Sequence, residues 1–406
     1  MQNSADSQYF QAVLNPAAQS AARVEVNLGA LAANYAFLQA QAGLSGAAGK
    51  PLELMPVIKA DAYGHGLLPC ARSLIANGAG WLAVGTVQEG ALLRAGGVKQ
   101  HLVALLGCLG RDDIDLALSE RIIPFVASFE QLERFAARAE SKSAGAPAQI
   151  ALKFNTGMNR LGFFPGELSA LLDWLAAHPG LEPAIAASHL AAADEDEGAA
   201  QTDAQIQVFA TVCGELKKNY PALKTSLYNS AGFLAHAHKF ASDLARPGLT
   251  LYGANPLAGT ALNRPEFDAG LSQAMQVWAP VVQVHPLKQG EAISYGATFT
   301  APRDMRVAIV AAGYSQGYSR GLSSRGEPPR AQMNLHGTRC PVLGRVCMQL
   351  TAVDVTGLAR VREGDQAWLL GGPGDAAISA NELAAWWGTI PYEVFCMLGA
   401  VNARTY

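Results

Sequence analysis

Eight short apolar runs, each followed by a helix-like stretch, constrain this chain more than any other feature of its sequence. They are Glu53–Lys59, Trp81–Val84, Leu102–Leu106, Ile122–Val126, Ile150–Phe154, Ala184–His189, Thr225–Tyr228 and Leu249–Tyr252. Between them lie Ala- and Leu-rich segments such as Leu132–Glu140 and Leu168–His178. Continuous apolar strands that alternate with helices argue a parallel sheet buried on both faces. Eight such units predict an α/β fold, a (β/α)8 TIM-like barrel. A doubly wound open sheet is the competing arrangement. It calls for a dinucleotide fingerprint, and GLSGAAG at Gly43–Gly49 is not one.

The texture then changes. Ala254–Gly270 carries Pro, Gly and Asn and reads as a connector. Beyond it come strand-like runs: Gln276–Val284, Ala292–Phe299, Arg306–Ala311, Ala331–Leu335, Pro341–Val355 and Ala367–Leu370. Ser379–Trp387 and Tyr392–Leu398 read as helices, with Pro391 where a first turn tolerates proline. The expected organisation is a barrel domain over 22–260 and a mainly β C-terminal domain over 261–406.

Composition narrows the partners. The net charge of -3 over 406 residues gives no reason to expect nucleic acid or a membrane surface. Six cysteines include no CxxC pair, so neither a zinc site nor a redox dithiol is signalled, and a reducing compartment is expected. The N-terminal MQNSADSQYFQAV lacks a basic region followed by an apolar core, and no apolar stretch is long enough to span a bilayer. A cytoplasmic protein is the expectation.

Barrel enzymes build their sites at the C-terminal ends of the strands. Here those ends carry Lys59 with Tyr63, then Lys153 through Arg160, Ser188-His189, Tyr228-Asn229-Ser230 and Arg246-Pro247-Gly248. A lysine after an apolar run is ordinarily the first exposed residue of a loop. A lone histidine is ordinarily a satisfied core residue, and Tyr63 alone would be packing. Their convergence on one rim argues for more. Cations, a serine hydroxyl and Gly-flanked backbone N–H groups suit an anionic, phosphate-bearing ligand.

KADAYGHG, which begins at Lys59, closely resembles the cofactor motif of alanine racemases, fold-type III enzymes that use pyridoxal 5'-phosphate. KFNTGMNRLG, SHLAAADE, YNSAG, RPGLTLYG, SYGATF, GYSQGYSR, GRVCMQ and IPYEVFCM resemble further motifs of that family, in its order. The resemblance implies that Lys59 holds the cofactor covalently. It implies that Tyr63, Ser230, Gly248 and Leu249 hold its phosphate, and that His189, Asn229 and Arg246 complete the cofactor set. Arg246 would face the pyridine nitrogen. An arginine is effectively always protonated, so it leaves the ring a weaker electron sink and favours return of the proton over transamination. Racemisation needs two groups on opposite faces of the α-carbon. By resemblance these are Lys59 and Tyr295, the latter delivered by a partner subunit in a homodimer and coupled to His189 and Arg246. Arg160 and the Met348 N–H would take the substrate carboxylate. Lys153 matches a lysine that is carbamylated in many members, and Asp194, Tyr314, Arg320 and Arg345 match an access channel for a substrate as small as alanine. The implied role is supply of D-alanine for peptidoglycan.

Three positions depart from the family pattern: Asn155, Gln316 and Gln349 stand where acids are usual. They keep a racemase for another amino acid, such as serine, in play. A fold-type III decarboxylase and a non-enzymatic pyridoxal-phosphate binder are disfavoured by Tyr295, RPGLTLYG and the second domain.

Overall fold

The computed structural model describes residues 20–45, 52–142, 147–324 and 331–406. The stretch Gly43–Gly49 therefore lies partly outside the described residues. The chain divides into two compact units. One comprises Leu31–Ala62 and Leu67–Ser272; the other comprises the chain up to Ala30, Tyr63–Gly66 and Gln273–Tyr406.

The first strand of the chain, β1 (Arg23–Val26), belongs to the second unit. The first unit holds β2 (Glu53–Leu54), β3 (Trp81–Val84), β4 (His101–Ala104), β5 (Ile122–Val126), β6 (Ala148–Lys153), β7 (Leu181–Ala187), β8 (Lys224–Ser226) and β9 (Leu244–Ala245). Their order is β2-β9-β8-β7-β6-β5-β4-β3, parallel throughout. A bridge between Val57 and Ala83 joins the two ends, so the sheet closes into the expected barrel. Every residue of β3 and β5 is buried, which is why these strands read as unbroken apolar runs. The covering helix Phe129–Lys142 buries Leu132, Phe135, Ala136 and Ala139, one stripe at helical spacing.

The eighth strand departs from expectation. Leu249–Tyr252 forms a 3-10 turn, and the barrel strand is the short Leu244–Ala245 before it. Pro247 has no N–H to give a sheet ladder, and Gly248 then turns the chain, so the apolar run after them cannot continue the strand.

The second unit is built on β10 (Met275–Leu287). It adds β11 (Ala292–Ile293), β12 (Phe299–Thr300), β13 (Met305–Val310), β14 (Gln332–Leu335), β15 (Thr338–Leu343), β16 (Thr351–Asp354), β17 (Gln366–Leu370) and β18 (Ala403–Thr405). The large sheet runs β13-β16-β15-β14-β17-β10-β1-β18, and β10 also pairs with β13. Residues 22–26, expected with the barrel, join this sheet instead: Val24 and Val26 are buried, and β1 pairs antiparallel with β10 and parallel with β18. The single run expected over Pro341–Val355 is two strands, β15 and β16, separated by a loop that holds Met348. Leu287, Met305, Val307 and Leu343 anchor one core of this unit. The helices Ala380–Trp387, with a Ser379/Glu382 capping box, and Pro391–Val401, with proline at its first position, stand where expected.

Candidate active site

Lys59 stands exposed just beyond buried Val57 and Ile58. The next residues do not form an ordinary turn. Ala60, Asp61, Ala62 and Tyr63 have φ of +53°, +54°, +55° and +54°, and Gly64 follows at +79°. This is a left-handed helical turn made by four residues that carry a Cβ, each costing about 1–2 kcal/mol. Backbone and carboxylate contacts hold it. Ala62 N–H donates to Ile58 O at 2.8 Å, and Leu67 N–H donates to Asp61 Oδ1 at 2.6 Å. Glu89 accepts from Asp61 N at 3.2 Å, Gly85 N at 2.7 Å and Thr86 N at 3.2 Å. The strain sits in the residues that directly follow Lys59, which makes this lysine a candidate functional position.

The barrel mouth gathers cations. Arg246 is buried, and it donates to Ser226 Oγ at 2.6 Å, Ser188 O at 2.5 Å and Leu227 O at 3.2 Å. Its Nη2 lies 3.4 Å from His189 Nδ1, while Asn229 Nδ2 lies 3.5 Å from His189 Nε2. Burial and Arg160 push the Arg246 guanidinium down to about 10, still charged at neutral pH. Lys153 is buried too. Burial, then Arg246 and Arg160, hold its amine well below the ordinary lysine value. His189 is held well below its usual range by burial and then by Arg246, Lys153, Arg160 and Lys59. The imidazole is therefore neutral at physiological pH. Every charged group acting on it is a cation.

Behind this cluster, Ser230 Oγ accepts from Gly248 N at 2.9 Å, Thr250 Oγ1 at 3.2 Å and Thr250 N at 3.5 Å. Asn229 caps the helix Ser230–His236 by accepting from Gly232 N at 2.9 Å. Leu249 opens the 3-10 turn beside it. Asp194 lies in the loop after β7, half-buried.

On the second unit, Tyr295 begins a 3-10 turn between β11 and β12 and is 70% exposed. Ser294 at φ +68° and Gly296 at φ +73° flank it. Ser294 Oγ donates to Arg345 O at 2.6 Å, which seats the turn on the loop that leads to Met348. Met348 and Tyr314 are also exposed. Arg320, exposed, opens the 3-10 turn Arg320–Leu322, whose Leu322 is buried.

The structure thus brings Lys59, Lys153, Arg160, His189, Asn229 and Arg246 together, and separately joins Ser230 to Gly248. Residues missed in the sequence reading are Glu89, Thr250 and Tyr392. Glu89 carried a signal, the Thr86-x-x-Glu89 capping box. Tyr392 places its ring 5.8 Å from that of Tyr63. Burial, then Tyr392, raise the Tyr63 phenol, so it is a neutral hydrogen-bonding group. The neighbouring helix comes so close that a Cβ on Gly64 would stand 2.6 Å from Phe395 O.

Among the described residues no cluster of His, Cys, Asp and Glu could hold a metal ion, and no helix is long and apolar enough to cross a membrane.

Residues 26–256 match the family model described as alanine racemase, N-terminal domain, and residues 274–406 match alanine racemase, C-terminal domain. An alanine racemase of Nitratidesulfovibrio vulgaris (strain Miyazaki F) is 51% identical over 94% of this chain and 97% of the relative. One of Lawsonia intracellularis is 40% identical over 86% of this chain and 90% of the relative. Among solved structures, the biosynthetic alanine racemase of Pseudomonas aeruginosa is similar with a TM-score of 0.82 and 32% identity, covering 95% of this chain and 99% of that one. The alanine racemase of Bartonella henselae with covalently bound pyridoxal phosphate has a TM-score of 0.81 and 26% identity, over 95% of this chain and 99% of that one.

Proposed function

The chain belongs to the alanine racemase family, and from that premise we propose a two-base racemisation of alanine in which Lys59 and Tyr295 exchange the α-proton on opposite faces. Its activity is that of a pyridoxal-phosphate-dependent isomerase acting on alanine. The relatives favour alanine over the serine reading. When bound, pyridoxal 5'-phosphate supplies the electron sink that makes the substrate α-proton labile.

The donor set fits that group. His189 faces four cations, Lys59, Lys153, Arg160 and Arg246, with no carboxylate among the charges acting on it. Such a cluster calls for anions, and a phosphate-bearing cofactor with a substrate carboxylate supplies them. This observation carries the reading. Lys59 Nζ holds the cofactor and moves the proton on the D side. Tyr63, Ser230, Gly248 and Leu249 hold the phosphate, with Tyr392 beside Tyr63. Arg246 donates to the ring nitrogen from a guanidinium fixed by Ser226, Ser188 and Leu227. His189 relays orientation as a neutral imidazole, so the positive charge that favours a phenolate at Tyr295 comes from Arg246. Arg160 and the Met348 N–H bind the substrate carboxylate. Asp194, Tyr314, Arg320 and Arg345 restrict access to small amino acids.

Lys153 is proposed to be a carbamate. Carbon dioxide adds to its unprotonated amine with loss of one proton, and the new anion pairs Arg160. We further propose a cytoplasmic homodimer in which Tyr295 serves the partner's Lys59, making D-alanine for the cell wall.

The test is α-proton exchange in D2O. The holoenzyme should incorporate deuterium into alanine with inversion, and Lys59→Ala should abolish it. Tyr295→Phe should block exchange of L-alanine while D-alanine still exchanges. Full racemisation by both variants would sink the assignment.

A further inference from the structure

On the second unit, the loop Gly313–Gly317 grips the loop that carries Met348. Tyr314 N–H donates to Cys347 O at 3.1 Å and Ser315 N–H to Met348 O at 2.9 Å. Ser315 Oγ donates to the same Met348 carbonyl at 2.7 Å. Glycine at 313 permits this approach, since a Cβ there would stand 2.1 Å from Cys347 O. A trans peptide points its N–H opposite to its C=O. Holding the Cys347 and Met348 carbonyls therefore turns the N–H groups of Met348 and Gln349 away from the grip. Among the described residues neither N–H meets an acceptor. Two adjacent open donors suit one carboxylate.

We infer that Ser315 is a positioning residue for the substrate carboxylate, acting through the Met348 carbonyl, and that Gln316 is the neutral neighbour that lets it act. The inference rests on the reading above that the Met348 N–H meets that carboxylate, and the Met348 carbonyl fixes the next N–H, that of Gln349, as the second donor beside it. The Ser315 hydroxyl has one proton and two acceptors in reach, Met348 O at 2.7 Å and Gln316 Oε1 at 3.1 Å. Two neutral oxygens compete on equal terms, and the shorter bond takes the proton. A carboxylate at 316 would draw it away through a charge-assisted bond roughly twice as strong. Gln316 Oε1 still accepts from Gly313 N at 3.1 Å, so the loop keeps its cap without the charge. Gln316 stands where the family pattern has an acid, and the hydroxyl at 315 works because position 316 is neutral.

The experiment compares Ser315→Val with the hydroxyl-bearing Ser315→Thr in the holoenzyme. It reads KM and kcat for L-alanine and the affinity for propionate, a carboxylate without the amine, by calorimetry. Valine should raise KM and weaken propionate about three- to tenfold with kcat within about twofold, because ground and transition states lose the same contact. Threonine should restore both. Gln316→Glu alone should raise KM comparably, and combined with Ser315→Val in a double variant it should add nothing further. Equal kinetics for valine and threonine would overturn the inference, as would a kcat loss with KM and propionate affinity unmoved, or full additivity of the two substitutions. Ser315→Ala serves as the second hydroxyl-free variant if valine does not fold. Propionate binding that weakens in Ser315→Val and returns in Ser315→Thr, in a protein whose wild type leaves alanine unracemised, would sink the function reading alone.

Discussion

Lys153 shows what a buried cation costs and what it permits. Its amine is buried, and Arg246 and Arg160 add like charge, so its proton affinity lies well below the ordinary 10.5. The unfolded chain takes up a proton on Lys153 below that ordinary value, while the folded chain does so only at much lower pH. Between the two values the unfolded state binds more protons, so stability rises with pH across that window. In carbonate-free buffer Lys153→Met should therefore be more stable than the native protein near about pH 7, and the gap should close as pH rises toward the lysine range. Urea midpoints across about pH 7 to 9 measure this, and parallel pH slopes for the two proteins would refute it. His189 follows the same logic in its own window. Its folded value lies well below 6.5, so it adds a second loss of stability as pH falls through 6.5.

The element that most needs explaining is the left-handed turn at Ala60–Gly64. Ala and Tyr disfavour that conformation and Asp adopts it only as a single residue, so a run of four cannot be read from the sequence. Tertiary contacts impose it, and Glu89 makes one of them, accepting from Asp61 N while its other oxygen takes Gly85 N and Thr86 N. Glu89→Ala leaves the N–H groups of Asp61, Gly85 and Thr86 without that acceptor, and the expected loss is about 2–4 kcal/mol with activity down at least tenfold. Thermal denaturation and turnover read the two effects, and a variant with native stability would refute the role. Ala60 is exposed with φ +53°, so Ala60→Gly should gain about 0.5–1 kcal/mol, whereas Ala60→Val should lose about 2 kcal/mol or more by the same reckoning. A less stable glycine variant would argue against strain at 60.

Other elements were legible for definite reasons. The barrel strands are buried on both faces, and this gives continuous apolar runs. The helix Ala380–Trp387 announces itself by Ser379 and Glu382. Leu249–Tyr252 misled because a buried 3-10 turn is as apolar as a strand, and only Pro247-Gly248 ahead of it marks the break. The strand-end cations could be placed together because a closed parallel barrel puts every C-terminal strand end on one rim. Tyr392 could not, since its nearness to Tyr63 depends on how the helix Pro391–Val401 meets Gly64.

For the whole molecule, the question is whether Lys59 and Tyr295 of one chain serve the same reaction centre or two different ones. Tyr295 stands 70% exposed on its own unit. A side chain that must meet a desolvated substrate calls for a further surface to cover it, and a closed two-fold assembly supplies one. Complementation decides between the alternatives. On the proposed homodimer, Lys59→Ala and Tyr295→Phe should each be crippled when expressed alone, and coexpression should make half of the dimers pair one chain of each kind. If the two residues act across the seam, one of the two centres in such a dimer joins an intact Lys59 to an intact Tyr295 of the partner subunit, and the mixture regains about a quarter of native activity. If they act within one chain, every centre lacks one base and the mixture stays inactive. Turnover of L-alanine in the coexpressed mixture, set beside the separately purified variants, distinguishes the two.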